Sequence, residues 1–140
     1  MKRLLYISMI SLGLCSELDK YFINHLIEID NKVTRPFNNQ KISGKIYISF
    51  DDLNLDSKIV GEVDQSLKKG QWVGWWANGK KKYKGTYVNG QKFGFWHEWD
   101  KNGILRFESL YLNDKVVQLK NCISDVCDTM VVKEYVEVKF

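Results

Sequence analysis

Residues 67–90 read LKKGQWVGWWANGKKKYKGTYVNG, and residues 91–114 read QKFGFWHEWDKNGILRFESLYLND. At a shift of 24 positions the two stretches are identical at eight of 24 positions. The identical pairs are Lys68/Lys92, Gly70/Gly94, Trp72/Trp96, Trp75/Trp99, Asn78/Asn102, Gly79/Gly103, Tyr87/Tyr111 and Asn89/Asn113. Chance would give only about one or two identities, so the sequence contains an internal repeat. We call 67–90 the first copy and 91–114 the second copy.

Turn signals divide the repeat into strands. Asn78-Gly79 and Asn102-Gly103 predict type I′ hairpin turns, which need positive φ at both central residues. Further turns are predicted at Asn89-Gly90, Asn113-Asp114 and Gln65-Ser66. The strands predicted between them are 71–77, 82–88, 93–100 and 105–112, each rich in aromatic and β-branched residues. The fold class expected is mainly β, an antiparallel meander of repeated hairpins.

Aromatic side chains are expected on both faces of this sheet. Successive residues of a strand point to opposite faces, so Trp72 and Trp75 should diverge unless a bulge intervenes. Gly85, between Tyr83 and Tyr87, leaves room for a neighbouring ring to lie over the backbone. The candidate binding surface consists of these aromatic residues and the adjacent lysines: Trp72, Trp75, Trp76, Tyr83, Tyr87, Trp96, Trp99, Lys80, Lys81 and Lys82.

The order of these residues resembles the MORN-variant repeat found in the YwqK family of antitoxins. The resemblance rests on 70–79, 83–90 and 94–103, and it covers about 61–115. It implies a protein-binding rather than catalytic role, with toxin neutralisation as one form. Eukaryotic MORN proteins are often proposed to bind membranes, which makes anionic lipid an alternative partner. Asp114 replaces the glycine expected in the last turn, so the array is expected to end there.

The N-terminal 40 residues are open to two interpretations. Lys2-Arg3, an apolar run and then Cys15 resemble a bacterial lipoprotein signal, with 1–15 as the signal and Cys15 as the lipidated residue. Alternatively, 1–15 begin a helix that packs on the sheet. In either case 16–30 predict a helix, because apolar residues recur at three- and four-residue spacing, and 31–40 predict a linker.

A β-hairpin repeat domain is expected over 41–140, with clear repeats at 61–115 and a capping segment at 116–140. Residues 43–48 resemble a degenerate earlier copy. Within the cap, 116–120 and 131–140 predict strands, the latter by alternation of apolar and charged residues. Cys122 and Cys127 are expected to form a disulfide in an oxidising compartment and to remain thiols in a cytosol.

No pattern of catalytic or metal-binding residues emerges from the sequence. His97 and Glu98 are strand neighbours that point apart, and His25 falls in the predicted helix. Asp51, Asp52 and Asp56 lack the spacing of a known calcium loop. We therefore expect no enzyme, no metal and no cofactor.

Charge favours some partners over others. The net charge of +4 is too small for a dedicated nucleic-acid binder, so nucleic acid is an unlikely partner. Seven lysines nevertheless fall between Lys68 and Lys92 with no acidic residue among them. Lysines beside aromatic rings suit an acidic protein or an anionic membrane surface. They also discourage aggregation of exposed strands, which is the simpler explanation.

Three functional hypotheses follow from the sequence. The first is a non-enzymatic protein-binding module, of which an antitoxin or immunity protein is one type. The second is a lipoprotein of the bacterial cell envelope with a structural or surface-binding role, and the third is peripheral binding to anionic lipid. The envelope is the favoured location, with the cytoplasm as the alternative.

Overall fold

The structure is a computed structural model that describes residues 20–37, 40–51, 56–123 and 126–130. As the repeat predicts, these residues are mainly in β-strands. The strands are β1 (Tyr21–Phe22), β2 (Ile27–Ile29), β3 (Lys32–Thr34), β4 (Gly44–Ser49), β5 (Ser57–Asp64), β6 (Leu67–Trp75), β7 (Lys81–Val88), β8 (Gln91–Trp99), β9 (Leu105–Leu112), β10 (Lys115–Ile123) and β11 (Val126–Met130).

The strands form a sheet in which β4 to β11 follow one another as an antiparallel meander. At its beginning β1 pairs with β4 in parallel. β2 and β3 form a hairpin that joins β6 through the pairing of Lys32 with Leu67. The meander confirms the mainly β, antiparallel part of the predicted fold class.

The 24-residue period of the sequence is also a period of the sheet. Trp72 of β6 lies opposite Gly85 of β7, and Trp96 of β8 lies opposite Ser109 of β9. A bulge follows each tryptophan at the same place, between Gly74 and Trp75 in the first copy and one period later in the second. The strand is therefore irregular between Trp72 and Trp75, which is the exception that the sequence prediction allowed, and Trp75 packs against the buried cluster that contains Trp72.

Two kinds of turn alternate along the meander. Gln65-Ser66, Asn89-Gly90 and Asn113-Asp114 have positive φ at both residues, as predicted for type I′ turns. At Asn78-Gly79 and Asn102-Gly103 only the glycines have positive φ, of 77° and 85°. There the loop has one residue more, and the Gly79 N–H donates to the Trp76 carbonyl. The hairpins are confirmed, but the predicted turn type is wrong at these two.

Each buried tryptophan lies against a glycine of the preceding strand, Trp72 of β6 against Gly61 of β5 and Trp96 of β8 against Gly85 of β7. A Cβ atom on Gly61 would stand 2.3 Å from the Trp72 ring, and one on Gly85 would stand 2.0 Å from the Trp96 ring. Tyr87 fills the space between the two indoles, with ring centroids 5.6 Å from Trp72 and 5.0 Å from Trp96. Aromatic edges against faces at this separation stabilise the stack beyond the area that they bury.

The core lies at the N-terminal half of the sheet, where the chain folds over β4 to β6. Its buried hydrophobic residues are Tyr21, Val33, Ile42, Ile46, Val60, Val63 and Trp72. Tyr21 reaches it because β1 pairs with β4, opposite Ile46. Ile23 and Leu26 pack on the same cluster from the short segment that follows.

The predicted N-terminal helix over 16–30 is wrong for the part that the structure describes. Residues 20–30 form β1, one 3-10 turn (Ile23–His25) and β2. The linker predicted over 31–40 contains β3, which follows a tight turn at Asp30-Asn31 with positive φ at both residues. The apolar residues have helical spacing, but β1 pairs with β4, and no local sequence pattern encodes that pairing. His25 lies in this 3-10 turn and is exposed.

Several predictions fall outside the described residues. These are the signal or helix at 1–15 with Cys15, the helix at 16–19 and the closing strand at 131–140. Within the described cap, the predicted strand over 116–120 is confirmed as part of β10.

Candidate functional site

The hairpin loops of the two copies lie side by side at one end of the strands. We call this the Asn-Gly end, and its loops are 76–80 and 100–104. Cross-links join them, because the Asn78 side-chain amide donates to the Lys101 carbonyl at 2.8 Å. The Lys80 ammonium donates to the Asn102 carbonyl at 2.9 Å, and the Lys58 ammonium donates to the Gly79 carbonyl at 2.9 Å. The repeat therefore holds successive loops at fixed spacing.

Between these loops lies a groove of about 380 Å³. We call it the tryptophan groove. It is lined by Trp75, Gly79, Lys80, Lys81, Trp99 and Gly103. Four of the predicted site residues, two tryptophans and two lysines, thus come together although 24 positions separate the tryptophans in sequence.

The two tryptophan walls are held by contacts outside the groove. The Lys58 ammonium lies 4.4 Å from the centre of the Trp75 ring, and the Trp75 indole N–H donates to the Ile59 carbonyl at 3.4 Å. The Trp99 ring stacks on His97 with centroids 5.9 Å apart. Both tryptophans are half-buried, so the groove has aromatic walls that are fixed in place before a ligand arrives.

Five lysines surround the groove without a carboxylate partner in the described part of the chain. They are Lys58, Lys80, Lys81, Lys82 and Lys101. Lys82 and Lys101 lie over Trp76, 4.7 Å and 5.6 Å from its ring centre. Lys80 and Lys81 are exposed on the groove itself. The charges of these lysines remain available to an anionic partner.

The pair of side chains beneath the loop differs between the copies. In the first copy Lys82 lies over Trp76. At the equivalent positions of the second copy, Arg106 makes two hydrogen bonds to one Asp100 carboxylate oxygen, at 2.9 Å and 2.7 Å. The Trp76 indole N–H donates to the Trp99 carbonyl at 3.0 Å. Trp76, in the loop of the first copy, therefore helps to hold Trp99, which lines the groove.

Asp100 also closes its own loop. Its carboxylate accepts hydrogen bonds from the backbone N–H groups of Asn102 at 2.8 Å and Ile104 at 3.0 Å. The Ile104 N–H is the main reason that the pKa of Asp100 lies below its ordinary value, and Arg106 lowers it further. The carboxylate is therefore committed to the loop and does not neutralise the lysines of the groove.

Trp72 and Trp96 do not belong to the binding surface that the sequence predicts. Their side chains are 1% and 2% exposed, because each lies beneath its neighbouring strands. Trp72 does line a separate cavity of about 140 Å³ with Tyr83. Tyr83 and Tyr87 are half-buried parts of the same stack, and burial raises the pKa of both phenols above the ordinary value. These four residues shape the repeat and do not line the groove.

A series of polar contacts between side chains on β8, β9 and β10 was not predicted from the sequence. His97 Nε2 lies 3.3 Å from Glu108, and Glu108 accepts a hydrogen bond from the Lys120 ammonium at 2.7 Å. That hydrogen bond is the main cause of the lowered pKa of Glu108. The register of β8 against β9, with His97 opposite Glu108, was the signal that could have revealed the contact.

The remaining predicted chemistry is structural. Cys122 and Cys127 lie opposite each other in the hairpin of β10 and β11 and are joined by a disulfide. Within the described ranges no three His, Cys, Asp or Glu side chains come together in a way that could hold a metal ion. No helix in the part of the chain that the structure describes has the length and apolar character needed to cross a bilayer.

No protein-family model, curated protein or solved structure matches the chain. The site must therefore be interpreted from its own geometry.

Proposed function

We propose that this chain is a non-enzymatic binding module that uses the tryptophan groove to hold another protein. The observation that carries the proposal is the groove itself, in which Trp75 and Trp99 flank Lys80 and Lys81. Aromatic residues are enriched at protein interfaces, and recessed, well-packed rings are where binding energy concentrates. Neutralisation of a toxin, as in the antitoxins that the repeat resembles, is one form that this function can take.

The surroundings of the groove support binding rather than catalysis. Its polar side chains are lysine ammoniums, and neither histidine of the chain lines it. The His97 ring stacks on the Trp99 ring, and His97 Nε2 contacts the Glu108 carboxylate. Nucleophilic catalysis needs a nucleophile beside a base that a third group orients. The residues that line the groove contain no such set.

Affinity capture from lysate of the native cells tests the proposal. The bait is the wild-type chain, and the groove variant is Trp75→Ala with Trp99→Ala. Phe93→Ala with Phe95→Ala is the matched control, because these exposed aromatics belong to the second copy but do not line the groove. We expect a partner that the wild type and the control retain and the groove variant loses.

Circular dichroism of all three proteins must show the same β-sheet signal for this comparison to hold. If folded wild type and folded groove variant recover the same proteins, the groove is not the binding site and the proposal fails.

We further propose that the protein works in an oxidising compartment, the cell envelope, and that Cys15 carries a lipid. The disulfide between Cys122 and Cys127 supports this location, because such bonds persist where thiols are not kept reduced. Mass spectrometry of the native protein is the test. We expect an N-terminus at acylated Cys15 and no free thiol, whereas an intact Met1 with three free thiols would rule the location out.

The unpaired lysines also favour a second candidate function, binding to an anionic membrane surface. Co-sedimentation with vesicles is the measurement. Binding that does not depend on the fraction of anionic lipid would remove this candidate.

A further inference from the structure

Resting on the proposed function, we infer that the tryptophan groove takes an acidic segment of a partner protein, with one apolar side chain between Trp75 and Trp99 and carboxylates on Lys80 and Lys81. The inference names the chemistry of the partner. It depends on the charge around the groove, on its shape and on a comparison of the two copies.

Charge complementarity is the first argument. Lys80 and Lys81 lie at the groove, and Lys58 and Lys101 stand at its two sides over Trp75 and Trp76. The nearest carboxylate of the loops, that of Asp100, is engaged by Arg106 and by two backbone N–H groups. A partner that approaches this end meets positive charge only partly screened by solvent, which accelerates association with an acidic surface.

Shape is the second argument, and it favours a peptide over a lipid surface. A membrane is best engaged by rings that project, whereas Trp75 and Trp99 are half-buried side chains on the two sides of an open groove of about 380 Å³. A side chain of a peptide can enter this groove between the two rings. Because hydrogen bonds and stacking already hold Trp75 and Trp99, little ordering is required when a peptide enters.

The repeat itself supplies the third argument. Lys80 and Lys81 correspond to Ile104 and Leu105 in the second copy, where the hairpin has the same form. The hairpin therefore does not require lysine at these positions. Lys80 joins the two loops through the Asn102 carbonyl, and both lysines line the groove between the loops.

The test uses the full chain and a set of short synthetic peptides. Each peptide has one phenylalanine, tyrosine or leucine between glutamates and aspartates. Two comparison sets replace the acids by lysines or the central residue by alanine. A fourth probe is vesicles of phosphatidylcholine with or without phosphatidylglycerol. The readouts are indole N–H resonances of Trp75 and Trp99 in NMR spectra and the dissociation constant from their shifts.

The protein variants separate local charge from total charge. Lys80→Glu with Lys81→Glu reverses the charge that lines the groove. Lys45→Glu with Lys115→Glu makes the same change of net charge at two exposed lysines away from the groove. We expect an acidic peptide to shift both indole resonances of the wild type. The groove variant should bind at least about tenfold more weakly, with the control near wild type, because a charge acts mostly within a Debye length.

Three results would overturn the inference. They are equal binding of acidic and basic peptides, equal loss in the groove and control variants, and binding of phosphatidylglycerol vesicles with no acidic peptide bound. These failures are distinct from failure of the proposed function. A cellular partner that depends on Trp75 and Trp99 would still be captured if its recognised segment were not acidic.

Discussion

The two copies of the repeat have the same packing but different loops. In both, a lysine lies over a tryptophan and a tyrosine: Lys68 stands 5.2 Å from Trp72 and 4.8 Å from Tyr87. One period later Lys92 stands 4.5 Å from Trp96 and 4.7 Å from Tyr111. At the Asn-Gly end the turn residues recur, but Trp76, Lys80 and Lys81 of the first copy are replaced by Asp100, Ile104 and Leu105 in the second.

That difference separates what the sheet requires from what a partner can use. The tryptophan, the tyrosine and the turn residues recur because every copy must turn and pack in the same way. Trp76, Lys80 and Lys81 do not recur. Trp76 donates to the Trp99 carbonyl and Lys80 to the Asn102 carbonyl, so both help to join the two loops, yet the second copy forms its hairpin without them. Positions that vary between the copies are therefore where a function of this molecule is to be sought.

The largest effect is expected where a copy meets the next one. Gly85 lies under Trp96, whereas one period later Ser109 and Lys120 stand in place of the glycine and the tryptophan. We expect Gly85→Ser to destabilise the fold by about 3 kcal/mol, because the new Cβ displaces an indole in a packed layer. Ser109→Gly should cost only about 0.5–1 kcal/mol, the backbone entropy of a strand glycine. Urea unfolding of both variants provides the measurement, and equal midpoints would contradict the proposed packing.

A smaller difference is expected between the two buried indoles. The Trp72 N–H donates to the carbonyls of Glu62 and Lys69, both at 3.2 Å. The Trp96 N–H is buried without a hydrogen-bond partner among the described residues. Replacing either by phenylalanine removes similar ring volume, so Trp72→Phe should cost about 1 kcal/mol more than Trp96→Phe. Thermal unfolding of the two variants would refute this difference if Trp96→Phe proved the more damaging.

The loop of the second copy should show its own pH signature. The lowered pKa of Asp100 means that this carboxylate stabilises the fold above its ordinary titration range and ceases to do so as pH falls through the lowered value. Arg106→Gln should leave the pKa still below the ordinary value, because the Ile104 backbone N–H is the largest cause. NMR titration of the Asp100 carboxyl carbon measures it, and a return to the ordinary value would assign the effect to Arg106 instead.

The smallest change of stability is expected at the groove. Lys80→Ile with Lys81→Leu gives the first copy the loop residues of the second. Both side chains are exposed and neither forms an ion pair with a described residue. The described contact that is lost is the hydrogen bond from Lys80 to the Asn102 carbonyl, so the unfolding free energy should fall by only about 0.5–1 kcal/mol. Binding of the acidic peptides should be lost all the same. A large loss of stability would show that the lysines serve the sheet.

Local signals predicted the repeat well. Strand pairs separated by Asn-Gly form hairpins whatever the rest of the chain does, so β6 to β9 appear where the sequence places them. The same signals did not reveal the extra residue in the loops at Asn78 and Asn102, because a three-residue loop also favours glycine at its left-handed position.

Distant pairing accounts for the errors. Residues 21–29 have helical spacing, yet Tyr21 is drawn into the core by β4, some twenty-five positions later. The groove depends on Trp75 and Trp99, which belong to strands that are not adjacent in the sheet. The contact of His97 with Glu108 depends on a bulged register. None of these is a property of one strand.

The glycine beneath each tryptophan gives the array a direction. Gly61, which precedes the first copy, seats Trp72 of that copy, and Gly85 of the first copy seats Trp96 of the second. One period later the corresponding positions hold Ser109 and Lys120, so the glycine and the tryptophan are lost together. These tryptophan-on-glycine contacts therefore run in one direction along the sheet and stop at Trp96, although the strands continue through β10 and β11.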